Sequence, residues 1–177
     1  MIGPNHFQPP PRYDLLGLDA NSSTIPMMDM SIVNTTERPA LSIRSRVKMT
    51  EISQFIGQAI GEMMKESKDH GWRIAGPPFA YYHSWAADEI DVDCGFPVTQ
   101  SIAGSGKVRP FTLPAVRAAR TMHVGPYVEL VKTYGLIEKW IRANGHEPAD
   151  HCWENYINDP DEVPPEKLMT EILWPIK

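Results

Sequence analysis

Cysteine is scarce in this chain of 177 residues: Cys94 and Cys152 are the only two. The opening MIGPNHFQPPPRYD lacks the charged start, apolar centre and small-residue cleavage site of an export signal. Both thiols are therefore expected to stay reduced, in a cytoplasmic setting. Long hydrophobic runs are missing too. No stretch approaches the roughly 20 apolar residues that span a bilayer, so no membrane helix is expected. Positive charge is in deficit, with 17 Lys and Arg against 22 Asp and Glu and a net charge of −5. A chain without a basic excess lacks the field that a phosphate backbone rewards, so direct nucleic-acid binding is not expected.

Familiar catalytic and metal signatures also fail on inspection. Gly104-Ser105-Gly106-Lys107 resembles the end of a phosphate loop, but Ser101 stands where its first glycine belongs and Val108 where Ser or Thr would hold magnesium. It is no nucleophile elbow either, since Ala103 replaces the leading glycine. His146 and His151 lie five apart with Pro148 between them, which breaks the helical zinc spacing. No metal and no cofactor are expected.

Proline, by contrast, is plentiful. It accounts for 17 of 177 residues, about twice the usual share, and an interior proline breaks a helix. Short elements between proline-marked turns are the natural reading. Six prolines fall in residues 1–39, and residues 1–38 read as an extended N-terminal arm without sustained periodicity.

From Pro39 the pattern is regular. LSIRSRVK (41–48) alternates as a half-buried strand. Thr50 is placed to cap a helix whose apolar stripe runs Ile52, Phe55, Ile56, Ala59, Ile60, Met63 and Met64, stopped at Gly71. FAYYHSW (79–85) and IDVDCGFPV (90–98) follow as strands. The same order then returns: a strand over 116–124, a helix opened by Gly125-Pro126 and closed at Asn144-Gly145, then strands CWENYI (152–157) and LMTEILWPI (168–176). His70-Gly71 matches Asn144-Gly145 and Tyr82 matches Tyr156 at an offset of 74, while Phe96-Pro97 matches Trp174-Pro175 at 78. The expectation is an α+β fold in which a duplicated β-α-β-β repeat forms one curved antiparallel sheet, with two helices on one face and a ligand groove on the other. Its domain is read as 39–177: repeat one at 39–100, a linker at 101–114, repeat two at 115–177.

One carboxylate stands out. Glu154 lies inside a strand, sharing a face with Cys152 and Tyr156. Ala80 holds the matching place in the first repeat. A twofold groove would thus present two tyrosines, Tyr82 and Tyr156, around a single carboxylate, with Tyr127 and Trp85 as further aromatic wall. Such a site suits flat or cationic organic molecules. Tyr134, Trp140 and Trp174 read as ordinary core, and the acidic residues Asp88, Glu89, Asp91, Asp93, Asp159, Asp161 and Glu162 as solvated turn charges.

Taken together, His123-Val124-Gly125-Pro126-Tyr127, Trp153-Glu154-Asn155-Tyr156, Asn158-Asp159-Pro160 and Thr170-Glu171-Ile172-Leu173-Trp174-Pro175 resemble the GyrI-like small-molecule-binding domain. The first repeat agrees through Gly76-Pro77-Pro78-Phe79, Tyr82-His83 and Gly95-Phe96-Pro97-Val98. The resemblance implies the SOUL-like fold of two β-α-β-β repeats, also used as the effector domain of AraC- and MerR-type multidrug regulators. It implies that the glutamate at Glu154 contacts lipophilic cations. One branch of the family comprises hydrolases that open the cyclopropane ring of DNA-alkylating natural products, which would make Glu154 a general base assisted by Tyr156, with Trp153 also carried over. Residues 1–38 do not suit a helix-turn-helix module. The expected function is therefore free-standing binding of lipophilic or cationic aromatic molecules, by a monomer or dimer, through Glu154, Tyr156, Tyr82, Tyr127, Trp85 and Trp153. The alternatives are the cyclopropanoid hydrolase and, from the family's name, modulation of a gyrase or another protein partner.

Overall fold

The computed structural model describes residues 29–86 and 88–177; most of the proline-rich arm lies outside them. The described residues form eight strands and two α-helices: β1 (Ser31–Asn34), β2 (Arg38–Lys48), α1 (Ile52–His70), β3 (Phe79–Ala86), β4 (Glu89–Pro97), β5 (Arg109–Leu113), β6 (Arg117–Val124), α2 (Leu130–Ala143), β7 (Cys152–Tyr156) and β8 (Met169–Pro175). They form one antiparallel sheet in the order β1-β6-β8-β7-β3-β4-β2-β5. The α+β class and the single large sheet agree with the sequence reading. No helix among the described residues is long and apolar enough to cross a membrane.

The duplication runs deeper than the strands. In α1 the buried residues Ile52, Ile56, Ala59 and Met63 repeat in α2 as Leu130, Tyr134, Ile137 and Ile141, each pair 78 positions apart. Spacings of four, three and four place each set on one stripe, which the sheet covers. Leu41 faces Phe96 across β2 and β4, and Ala119 faces Trp174 across β6 and β8, again 78 apart. The outer strands obey the same rule with an exchange. β1 precedes the first repeat but pairs with β6 of the second, and β5 precedes the second but pairs with β2 of the first.

Two expectations change at this level. The linker carries β5, a five-residue edge strand whose Pro110 tolerates that position because an edge leaves N–H groups unpaired. Thr50 does not cap α1; it sits inside a 3-10 turn, Met49–Glu51, that leads into the helix. Gly71, with φ of 67°, ends α1 as expected and donates its N–H to the Ser67 carbonyl.

Both faces of the sheet are covered. On one face Leu41, Ile43, Val92, Cys94, Tyr82, Cys152, Tyr156 and Ile172 pack against α1 and α2. The other face carries no helix among the described residues, and the sheet curls onto itself instead: Phe111 on β5 stacks 5.5 Å from Phe79 on β3, three strands away. Phe79, Tyr81, Trp153, Leu113 and Leu173 make a second core there. Gly95 on β4 permits the tightest approach, since a Cβ would stand 1.9 Å from the Leu41 carbonyl oxygen.

Candidate functional site

β3 and β7 pair at the centre of the sheet, with Phe79 opposite Asn155, Ala80 opposite Glu154 and Tyr81 opposite Trp153. Under the offset of 74 that relates these strands, the Ala80–Glu154 pair maps onto itself. The pseudo-twofold axis therefore passes through it, and Glu154 is the one carboxylate at the axis.

Strand alternation aims Glu154 at the helices, where it is fully buried. Three phenols converge on it. Tyr134 on α2 donates to Oε1 at 2.7 Å. Tyr156 on β7 and Tyr82 on β3 donate to Oε2 at 2.8 and 3.2 Å. The ion pairs among the described residues give Glu154 no cationic partner. Burial disfavours the charged form and the three donors favour it, and burial prevails: the carboxyl is pushed up to about 7. Desolvation first, and then Glu154 itself, hold the Tyr82 phenol well above its ordinary range. Tyr134 and Tyr156 are raised as well, chiefly by burial. The neighbouring thiols of Cys94 and Cys152 are also pushed up by desolvation, so both stay neutral and buried.

Beside this cluster lies an apolar cavity of about 780 Å³. Its walls are one side of α1 (Ser53, Ile56, Gly57, Ile60, Met64), Phe96, Pro126-Tyr127, Tyr156 and the loop from Ile157 to Leu168. The groove thus lies on the helix-bearing face, contrary to the expectation that the open face would hold it. Strand parity shows that two faces exist, but both carry apolar residues here, and only the packed helices reveal which one houses Glu154. Tyr156 joins cavity and carboxylate: its ring lines the one while its hydroxyl donates to the other. Tyr127 meets Tyr156 edge-on, with ring centroids 5.8 Å apart. At the mouth stand Asp159, Asp161 and Glu162.

In the other half larger rings occupy the equivalent ground. Tyr134 and Trp174 stand where Ile56 and Phe96 stand in the first repeat, and Trp174 packs against both Tyr134 and Trp85, at 5.7 and 6.1 Å. A bulge between Tyr82 and Ser84 shifts the parity of β3 by one, which keeps Trp85 opposite Ile90 on the helix side. Of the residues singled out from sequence, Glu154, Tyr82 and Tyr156 come together, and Tyr127 joins them through Tyr156. Trp85 lies against Trp174 outside the cavity lining. Trp153 lies on the opposite face, stacked on Tyr81 at 5.7 Å.

Tyr134 is the residue that sequence reasoning missed. It is buried like an ordinary core residue, yet it donates the shortest hydrogen bond to Glu154. The available signal was symmetry: a polar-tipped ring replaces Ile56 at a matched buried position. Asp91 and Asp93 are likewise not solvated turn charges. They sit in β4, nearly fully buried on the helix-free face. Asp91 takes a two-pronged Arg44 contact at 2.7 and 2.8 Å, and Asp93 accepts from Ser42 at 2.6 Å and meets His83 at 2.7 Å.

Comparison with known proteins adds a family and a fold. The model of the GyrI-like small molecule binding domain matches residues 28–177. No curated protein sequence matches the chain significantly. Among solved structures, the C-terminal domain of EcmrR superposes with a TM-score of 0.71 at 24% identity, covering 85% of this chain and 98% of that one. EcmrR in its DNA complex gives 0.74 at 23% identity over 85% of this chain, which spans 57% of that protein's length. SAV2435 bound to tetraphenylphosphonium gives 0.63 at 13% identity (85% and 94% covered), and a hydrolase from Listeria innocua 0.57 at 16% (84% and 91%). At these identities the likeness is one of fold.

Proposed function

From the premise that this chain belongs to the GyrI-like small molecule binding domain family, we propose that it holds lipophilic, aromatic cations in the cavity beside α1, with Glu154 as the counter-charge. The observation that carries this reading is the placement of one buried carboxylate, free of any cationic partner among the described ion pairs, behind a phenol that lines an apolar cavity. A cation against the Tyr156 ring gains from the ring face and from the negative charge its hydroxyl touches. Over one phenol's length, ~6 Å, at an effective dielectric of ~20, that charge is worth ~3 kcal/mol. The acidic mouth adds a weaker field of the same sign. SAV2435, a protein of this fold, is bound to tetraphenylphosphonium, and that ion is the natural first probe.

The test is a fluorescence or calorimetric titration of tetraphenylphosphonium into wild type and Glu154→Gln at pH 8. Affinity is expected to fall ~10- to 100-fold in the variant, while an uncharged analogue loses little. Equal losses for charged and uncharged ligands refute the counter-charge.

A second reading is favoured by the position of the Glu154 carboxyl near neutrality, which suits a general base. In that reading Glu154 takes a proton from water as its oxygen bonds to a carbon of a strained cyclopropane. The ring C–C bond breaks, and its electron pair moves to a conjugated oxygen that a tyrosine hydroxyl polarises. Incubation with a cyclopropane-bearing alkylator should then yield a product heavier by one water. Turnover equal to buffer alone across several such compounds removes this reading.

A further inference from the structure

Resting on the cavity as the binding site, the geometry points to two ligand classes selected by one proton: a lipophilic cation binds as Glu154 loses its proton, and a neutral lipophile bearing a hydrogen-bond acceptor binds as Glu154 keeps it. The carboxyl keeps unusual company. Among the described residues, the titratable groups around it are neutral in neutral solution: Tyr82 on β3, Tyr134 on α2, Cys152 and Tyr156 on β7, Cys94 on β4 and Tyr127 in the turn before α2. A buried carboxyl with only phenols for partners gains little by staying charged until a cation arrives. The charge balance is simple. Glu154–COOH and a cation give a carboxylate–cation pair, and one proton passes to solvent.

The protonated state has a place in the same network. A phenol oxygen accepts as well as donates, so a hydroxyl can turn to receive the carboxyl proton. Tyr82 and Tyr156 donate to the same carboxylate oxygen, so the bond to either phenol can reverse when that oxygen carries the proton. Once it reverses, a Tyr156 hydroxyl released from the carboxylate can serve a ligand on the cavity side. A phosphoryl or carbonyl oxygen of a neutral ligand fits that donor. A cation does not.

Tetraphenylphosphonium and triphenylphosphine oxide form a matched pair of probes, alike in aromatic bulk and opposite in the property that matters. Calorimetry at pH 6 in two buffers of different ionisation enthalpy counts the protons exchanged. The cation is expected to release close to one proton at pH 6 and none at pH 8.5, with affinity rising up to tenfold per pH unit below neutrality. The phosphine oxide should release none and bind more weakly above pH 7 than below it. Glu154→Gln, which mimics the protonated carboxyl, should abolish both pH slopes and keep the phosphine oxide bound. Cation binding without proton release at pH 6, or a common pH slope for the two probes, overturns the inference while leaving the cavity as the site. Failure of both probes to bind at any pH overturns the cavity reading and this inference with it.

Discussion

The contest between burial and hydrogen bonding at Glu154 has a direct thermodynamic readout. Burial raises the folded-state pKa to about 7 from an ordinary 4.5. A carboxyl raised in this way binds a proton more tightly when folded than when unfolded. Its stabilising contribution is therefore fully present below pH ~4.5 and is lost as pH rises through ~7. The span corresponds to about 3 kcal/mol, lost at ~1.4 kcal/mol per pH unit and flat above pH ~7.5. Urea denaturation of wild type and Glu154→Gln from pH 4.5 to 8.5 isolates this group, because all other titrations cancel in the difference between the two. At a urea slope of ~2 kcal/mol per molar, the two midpoints should move relative to each other by ~1.5 M across the range. Wild type should gain on the variant as pH falls. A flat difference curve, or one in which wild type gains as pH rises, would mean that the three phenols outweigh desolvation and hold Glu154 ionised. The argument from burial would then be wrong.

Other substitutions probe the same cluster and the opposite face. Tyr134→Phe removes the phenol bonded to Oε1, and should cost ~1–3 kcal/mol at pH 8 with a smaller cost at pH 5, where the carboxyl is protonated; equal costs at both pH values count against its role as a carboxylate donor. Trp153→Ala empties a buried site on the helix-free face, where Tyr81 stacks on the indole. It should cost ~3–5 kcal/mol in urea unfolding yet leave tetraphenylphosphonium affinity within twofold, and a large loss of affinity would place Trp153 in the binding site after all.

Much of the fold was legible in residue order because the chain states it twice. The helical stripes of α1 and α2, the glycine stop at Gly71 and the strand pairs are local patterns, and their repetition doubled each signal. Glu154 emerged from the same source, as the place where two matched strands differ. What stayed hidden were properties that sequence period does not encode. Alternation in CWENYI separates Cys152, Glu154 and Tyr156 from Trp153 and Asn155, but when a curled sheet buries both faces, neither set announces which one meets the helices. Tyr134 satisfied the apolar stripe with its ring, so its hydroxyl went unread. Asp91 and Asp93 looked like turn residues because their partners Arg44, Ser42 and His83 arrive from β2 and β3. The strand β5 was obscured by brevity and by Pro110.

The self-matched pair Ala80–Glu154 has a consequence for what kind of molecule could hold such a site. Two identical half-length chains related by a true twofold would have to carry the same residue at both ends of that pair. Two alanines would leave the phenols with nothing to bind, and two facing glutamates could not both ionise in a buried space. A lone carboxylate on the axis therefore requires two covalently joined halves that differ in sequence. The exchanged outer strands β1 and β5 stitch those halves together from both ends. Fusion, in this architecture, is what permits an unpaired charge at the centre of an otherwise twofold frame.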